Sequence, residues 1–328
     1  SFQAGTSADF TIESGDCNLY SGGIPAGATC SFTIGFSPSA EDSETGTVVV
    51  AGANGDMPSV TFMGRGAAPV PISEYPIPTA NSSPVTIGAG SDGALWFIEN
   101  QPHRIGRITT AATFTEYPFP LVNASLLAVA PGPKSDGALW YVDSDNNQVV
   151  RIAVDGTIST YRTPTLNDSQ GIALGPDGAL WVSAYGGTVG RVTTAGVVTG
   201  TFAIPTLNAG AGSIAAGSAQ TLWFTEYDAG QIARVDLNGS ITEFAIPGNP
   251  QGAVAITGGP DGRSWFVDSG DVGAITTKGA ITLTPAPNAG GAETVIATGS
   301  DHARWFTEPF ANRMGRVTTN GDVYEVRL

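Results

Sequence analysis

The chain has 328 residues, of which only 13% are charged, with 44 Gly, 22 Pro and a net charge of −15. That charge balance repels a phosphate backbone over most of the surface and excludes nucleic acid as a partner class, and no run approaches the roughly eighteen apolar residues that a spanning helix needs. Glycine and proline at this density predict many short strands and tight turns: an all-β chain, long enough for two domains with cores of their own.

The first 68 residues carry no repeat. Phe10-Thr11-Ile12 opens one strand, Phe32, Ile34 and Phe36 alternate along a second, and Thr45–Gly52 and Ser59–Gly66 read as two more. The only cysteines, Cys17 and Cys30, fall in this stretch with no histidine near them. That suits a disulfide better than a metal site, two separate buried thiols being the alternative. Such a pair, in a chain whose only lysines are Lys134 and Lys278, reads as a protein exported to the cell surface or beyond. Residues 69–71 are the linker.

From residue 72 to the end a unit of about 42 residues recurs six times. Its marker is tryptophan, at Trp96, Trp140, Trp181, Trp223, Trp265 and Trp305, in the strands ALWFIE, ALWYVD, ALWVSA, TLWFTE, RSWFVD and ARWFTE. A tight turn precedes it, as at Ser91-Asp92-Gly93 and Pro176-Asp177-Gly178, where Asp-Gly favours the positive φ of a hairpin. After the Trp come a further strand (IGRITT, VGRVTT, MGRVTT) and an outer one (TEYPFP, GTFAIP, TEFAIP). With the strand ahead of the turn, Val85–Gly88 in the first unit, each unit has four. Four antiparallel strands repeated six times predict a β-propeller over 72–328, with the Trp rings between blades. The recurring Arg107, Arg151, Arg191, Arg234 and Arg316 are expected to pack or to ion-pair between blades. Ile72–Pro78 and Val323–Leu328 both read as outer strands, so seven outer strands meet six inner sets and the count stays open between six and seven blades.

The wording GPDGALW, WFTE, IGRITT and TEYP resembles the streptogramin B (virginiamycin B) lyases over essentially all of 72–328. The resemblance implies an Mg²⁺-assisted elimination that opens a cyclic depsipeptide, with a histidine on the innermost strand as base, fourteen residues before the WFTE carboxylate. The matching positions here are Val85, Val129, Gln170, Gly212, Val254 and Thr294, and none can take a proton near neutral pH. The family's second metal carboxylate falls on Ala292, with Glu293 one step off. The resemblance therefore carries the scaffold and counts against the reaction. Residues 1–68 resemble the second half of bacterial Ig-like modules of the choice-of-anchor and ASPM/Hydin type. That implies a partial β-sandwich, either a fragment or one whose missing strand another protein chain supplies.

Glu99, Asp143, Glu226, Asp268 and Glu308 hold one equivalent position in five units, and Ala184 holds it in the sixth. In a propeller such positions form a ring, and hard oxygen ligands suit Mg²⁺ or Ca²⁺. Each acid could equally cap its own hairpin or meet a nearby Arg. His103, in the hairpin after Glu99, is the one candidate base, and His302 is expected on the opposite face. Tyr141, Tyr185 and Tyr227 are candidate platforms for a glycan. Three functions follow in order of preference: a non-catalytic binding or surface-assembly protein, a metal-dependent C–O lyase, and a propeller lectin.

Overall fold

The structure is a computed structural model and describes residues 2–5, 10–15, 31–36, 43–50, 59–65, 72–119, 126–248, 252–268, 270–286, 289 and 294–328. The described residues form strands and turns and no helix. The chain divides into two compact units, Ser1–Ile72 and Ser73–Leu328. The first contains β1 (Phe2–Gly5), β2 (Phe10–Gly15), β3 (Phe32–Phe36), β4 (Ser43–Val50) and β5 (Ser59–Arg65). They form a three-stranded antiparallel sheet in the order β1-β4-β5 and a separate antiparallel pair, β2-β3. Four of these strands lie where alternation places them. β1 was not expected, since Phe-Gln-Ala-Gly has too few alternating apolar positions to announce a strand. Cys17 and Cys30 lie outside the described residues, and the disulfide expectation with them.

The second unit is a propeller of six four-stranded antiparallel blades, each running in simple up-and-down order. Blade one comprises β6 (Pro84–Ala89), β7 (Leu95–Asn100), β8 (His103–Ile108) and β9 (Phe114–Pro118). The other five span 126–162, 169–203, 211–245, 255–285 and 296–327. The Asp-Gly turns close the first hairpin of a blade as expected, with Gly93 and Gly178 at φ of 77° and 73°. The open blade count resolves at six. Val323–Arg327 is the outer strand of blade six, whereas Ile72–Pro78 forms no strand.

The tryptophans do lie between blades. Trp96 is buried among Leu139, Tyr141, Val150 and Ile152 of blade two, and Trp181 among Leu222, Phe224 and Val235 of blade four. Trp140, Trp223 and Trp265 repeat this against blades three, five and six. In blades one to three the ring stacks on an outer-strand aromatic of its own blade: Trp96 on Tyr117, Trp140 on Tyr161 and Trp181 on Phe202, at centroid separations of 5.7, 5.6 and 5.7 Å. The indole N–H donates to the aspartate of the preceding turn, 3.2 Å from Trp96 to Asp92 and 3.2 Å from Trp181 to Asp177. That aspartate also takes the recurring arginine, as in Arg107–Asp92, Arg151–Asp136, Arg191–Asp177 and Arg316–Asp301. The arginines therefore clamp a turn inside their own blade instead of bridging two blades. The turn aspartate is the nearest anion, and the Arg on the third strand sits directly opposite the Trp in register. Arg234 is the exception: its blade has Ala219-Gln220 in place of Asp-Gly, and it donates to the Thr277 carbonyl of the next blade at 2.9 Å.

A second contact locks neighbouring blades. The glycine in the last turn of one blade lies flat against the outer-strand aromatic of the blade before it, Gly156 on Tyr117 and Gly196 on Tyr161. A Cβ there would overlap the ring, and the φ values of +86° and +78° disfavour any side chain. Gly239 on Phe202 and Gly279 on Phe244 continue the pattern.

Candidate functional site

The acids at the end of each second strand are all buried, Glu99, Asp143, Glu226, Asp268 and Glu308 alike. They divide into two kinds. Asp143 caps its own hairpin, accepting from the Asn146 backbone N–H at 3.3 Å and from the side chains of Asn146 and Gln148 at 2.9 and 2.7 Å. Asp268 accepts from the Asp271 N–H at 3.2 Å in the same way. An aspartate is short enough to fold back onto the turn that follows it.

The three glutamates reach further, toward the outer strand. There a second glutamate projects on the same face: Glu116 opposite Gly106, Glu243 opposite Ala233, and Glu325 opposite Gly315. Because the third strand carries no bulk at those points, inner and outer carboxyls face each other within the blade. In blades one and four a threonine grips the outer member. Glu243 accepts from the Thr206 N–H and hydroxyl at 2.8 and 3.0 Å, and Glu116 from those of Thr79 at 3.0 and 2.7 Å. Burial and the neighbouring carboxyl both disfavour ionisation of the inner member. Burial first, then the Glu243 charge and its hydrogen bond, push Glu226 up to about 8. Burial and then Glu325 push Glu308 up to about 7, against the pull of Arg313. Glu99 is raised by burial and by Glu116, with the neighbouring Ser82 hydroxyl and Arg104 opposing. Where blades one and six place Arg104 and Arg313 beside the pair, blade four has Gln231, and its inner acid is the one driven to about 8.

The central channel has a volume of about 430 Å³ and is lined by the innermost strands of all six blades. Five of the six positions that match the lyase base face it: Val129, Gln170, Gly212, Val254 and Thr294. In blade one, Thr86 and Ile87 line it, while Val85 lies exposed. No titratable side chain is among the described lining residues. The five acids of the ring are not among them either, being turned into the blades.

His103 is exposed at the start of β8, and its carbonyl accepts from Phe119. His302 is exposed in the turn before Trp305, at φ 62°. The three tyrosines separate. Tyr141 is no surface platform. It is fully buried against Trp96 in the core between blades one and two, because its position in the second strand faces the preceding blade, and burial drives its hydroxyl above its ordinary value. Tyr185 and Tyr227 are exposed, and Tyr185 donates to Asp228 of the next blade. Among the described residues no three His, Cys, Asp or Glu side chains gather closely enough to hold a metal ion. The acids described here thus do not fit the Mg²⁺ site that the lyase resemblance implies: two cap turns, and three are buried inside their blades beside a second glutamate. Glu293 lies outside the described residues. Sequence reasoning missed Glu116, Glu243 and Glu325. Their signal was present, since the Thr-Glu or Tyr-Glu of an outer strand falls opposite the Gly or Ala of IGR, IAR and MGR.

Fold and site together define a repeat propeller whose channel is lined, among the described residues, by apolar and neutral polar side chains, with buried carboxyls inside the blades. The family model for virginiamycin B lyases matches residues 41–206 and 167–328, and the chain belongs to that family. A virginiamycin B lyase from Nocardia farcinica is 34% identical over 151 residues, 45% of this chain and 51% of the relative, so the match spans about half the length of that protein. The crystal structure of virginiamycin B lyase from Staphylococcus aureus is 33% identical with a TM-score of 0.69, covering 76% of this chain and 85% of that one. A catalytically inactive histidine-to-alanine variant of that enzyme, with quinupristin, aligns at 32% identity and a TM-score of 0.70. The covered 76% of 328 residues, about 249, makes up 85% of the Staphylococcus chain, which leaves about 44 residues there without a counterpart, close to one repeat.

Proposed function

We propose that this chain is a non-catalytic member of the virginiamycin B lyase family, an exported protein that binds a ligand or assembles with other chains through its propeller scaffold. The observation that carries this reading is the neutral channel. Positions from which a base would act hold Val129, Gln170, Gly212, Val254 and Thr294, so the scaffold can enclose a molecule but has no proton acceptor at the family's place. The first unit, with its sheet of three strands and separate pair, is the part that engages a neighbouring chain by accepting a strand. The cysteine pair and scarcity of lysine support export.

The test uses quinupristin with Mg²⁺, followed by chromatography, since elimination yields an isomer of unchanged mass. The expected result is no ring opening above buffer while the Staphylococcus enzyme turns the substrate over. Ring opening by this chain would overturn the proposal. It would favour the second reading, a lyase working through groups other than the family base, which family membership supports.

A further inference from the structure

The three glutamate pairs differ in what completes them. Near the start of the third strand one residue stands directly opposite the inner glutamate: Arg104 opposite Glu99, Arg313 opposite Glu308, and Gln231 opposite Glu226. In blades one and six that residue also meets the outer glutamate, Arg104 with Glu116 at 3.2 Å and Arg313 with Glu325. The chain thus brings a positive charge of its own to two of its three carboxyl pairs. Blade four brings an amide. In the other three blades the place of the outer glutamate holds Thr160, Thr201 or Leu283, so no second carboxyl needs balancing there.

Oxygen atoms in blade four are left without donors. Glu226 is fully buried, and neither of its carboxyl oxygens accepts from an N–H or an alcohol hydroxyl. What lies against it is a second carboxyl, that of Glu243. The Gln231 Oε1 is buried too, again with no donor. Glu243 has an anchor in Thr206, which donates to one oxygen at 2.8 Å and to the other at 3.0 Å and leaves each a second lone pair. Buried acceptors without donors are costly, carboxylates most of all, and a cation among them removes the cost. Thr206, Gln231 and Glu243 are only half-buried, so the group can be reached from solvent at the rim of the blade.

We propose that blade four binds a calcium ion between Glu226 and Glu243, with the Gln231 amide oxygen as a third ligand, in the place that Arg104 and Arg313 fill with a guanidinium in blades one and six. None of the three residues lines the channel, so the site is separate from any metal held beside the family's base positions. The donors are all oxygen, which selects a hard cation, and with no His or Cys taking part zinc and copper are set aside. Two carboxylates match a divalent charge. The donors come from three neighbouring strands at the spacing of the sheet, which suits the six to eight ligands and variable angles of Ca²⁺ better than the strict octahedron of Mg²⁺. Water completes the shell at the half-buried rim. With only two carboxylates, binding falls in the range of extracellular calcium modules, a Kd of about 10⁻⁴–10⁻³ M.

The test uses residues 1–328 stripped of metal with EDTA, dialysed and titrated calorimetrically with CaCl₂ near neutral pH in NaCl. One Ca²⁺ per chain is expected, and about 10 mM Ca²⁺ should raise the melting temperature by about 3–10 °C. Gln231→Arg installs the guanidinium of blades one and six. It should melt above the wild type without Ca²⁺ and weaken Ca²⁺ binding at least about tenfold. Glu226→Gln should weaken binding as much, whereas Glu308→Gln, in the blade that has Arg313, should leave it within about twofold. MgCl₂ should bind at least about tenfold more weakly than CaCl₂. Three results overturn the proposal: neither heat nor a change in melting when Ca²⁺ is added to the wild type; binding that persists in either folded variant of blade four, which makes it a general effect of the net charge of −15; or Mg²⁺ bound as tightly as Ca²⁺.

Discussion

Glu226→Gln tests whether a shared proton holds blade four together. Burial and Glu243 carry the Glu226 carboxyl from near 4.5 to about 8, so between those pH values the folded protein keeps a proton that the unfolded chain has released. Stability attributable to this group is therefore full below pH 4.5 and falls as pH rises toward 8. A lone carboxyl moved that far would lose about 5 kcal/mol across the window. Part of that rise comes from the neighbouring Glu243, which Thr206 grips, so about 1–3 kcal/mol is expected. Glutamine keeps the donor to Glu243 at every pH and has no charge to bury. The variant should melt with the wild type at pH 4.5 and about 2–12 °C above it at pH 9, at about 2–4 °C per kcal/mol for a chain of this size. Glu99→Gln, beside Arg104, should gain less. Thermal melts of the three proteins at pH 4.5, 7 and 9 decide the matter. A gap that does not widen with pH, or a wild type that gains on the variant in alkali, would refute the carboxyl pair.

Trp181→Ala should cost about 3–5 kcal/mol in urea unfolding, whereas Trp305→Ala, half-buried in the last blade, should cost less than about half of that. Asp177→Ala strands three donors, the Trp181 indole, the Ala179 N–H and Arg191, and should lower stability by about 2–3 kcal/mol on the same assay. Burial pulls the Asp177 carboxyl up, but those donors together hold it below its usual range, so the loss should be largest at neutral pH and shrink in acid.

Much of the propeller could be read from the sequence because its signals are local. Trp spacing, Asp-Gly turns and alternating strands each sit within a few residues, and strand ends fell close to those expected. The carboxyl pairs were not legible in the same way. Glu226 and Glu243 are seventeen residues apart in the chain, and what joins them is the missing bulk at Ala233, visible only once the strands are in register. Tyr141 shows the same limit. Sequence places it beside a tryptophan, but not on which side of the sheet the neighbouring blade will lie. The arginines misled for a third reason: opposite charges fifteen residues apart meet within a blade only through the hairpin register that sets Arg107 against Trp96.

The glycine-on-aromatic contact bears on how such a chain can change over time. At the first four junctions a turn without a side chain lies against a flat ring of the preceding blade, so these junctions use the same pair of surfaces, while at the fifth Gly321 meets Thr284. A duplication or deletion that begins and ends at the same point of the unit regenerates that pair at the new boundary, with nothing to redesign elsewhere. A slip of even one residue would set a Cβ against the ring. Blade number is thus the property this architecture can most readily vary, while the spacing inside a blade is the one it must keep.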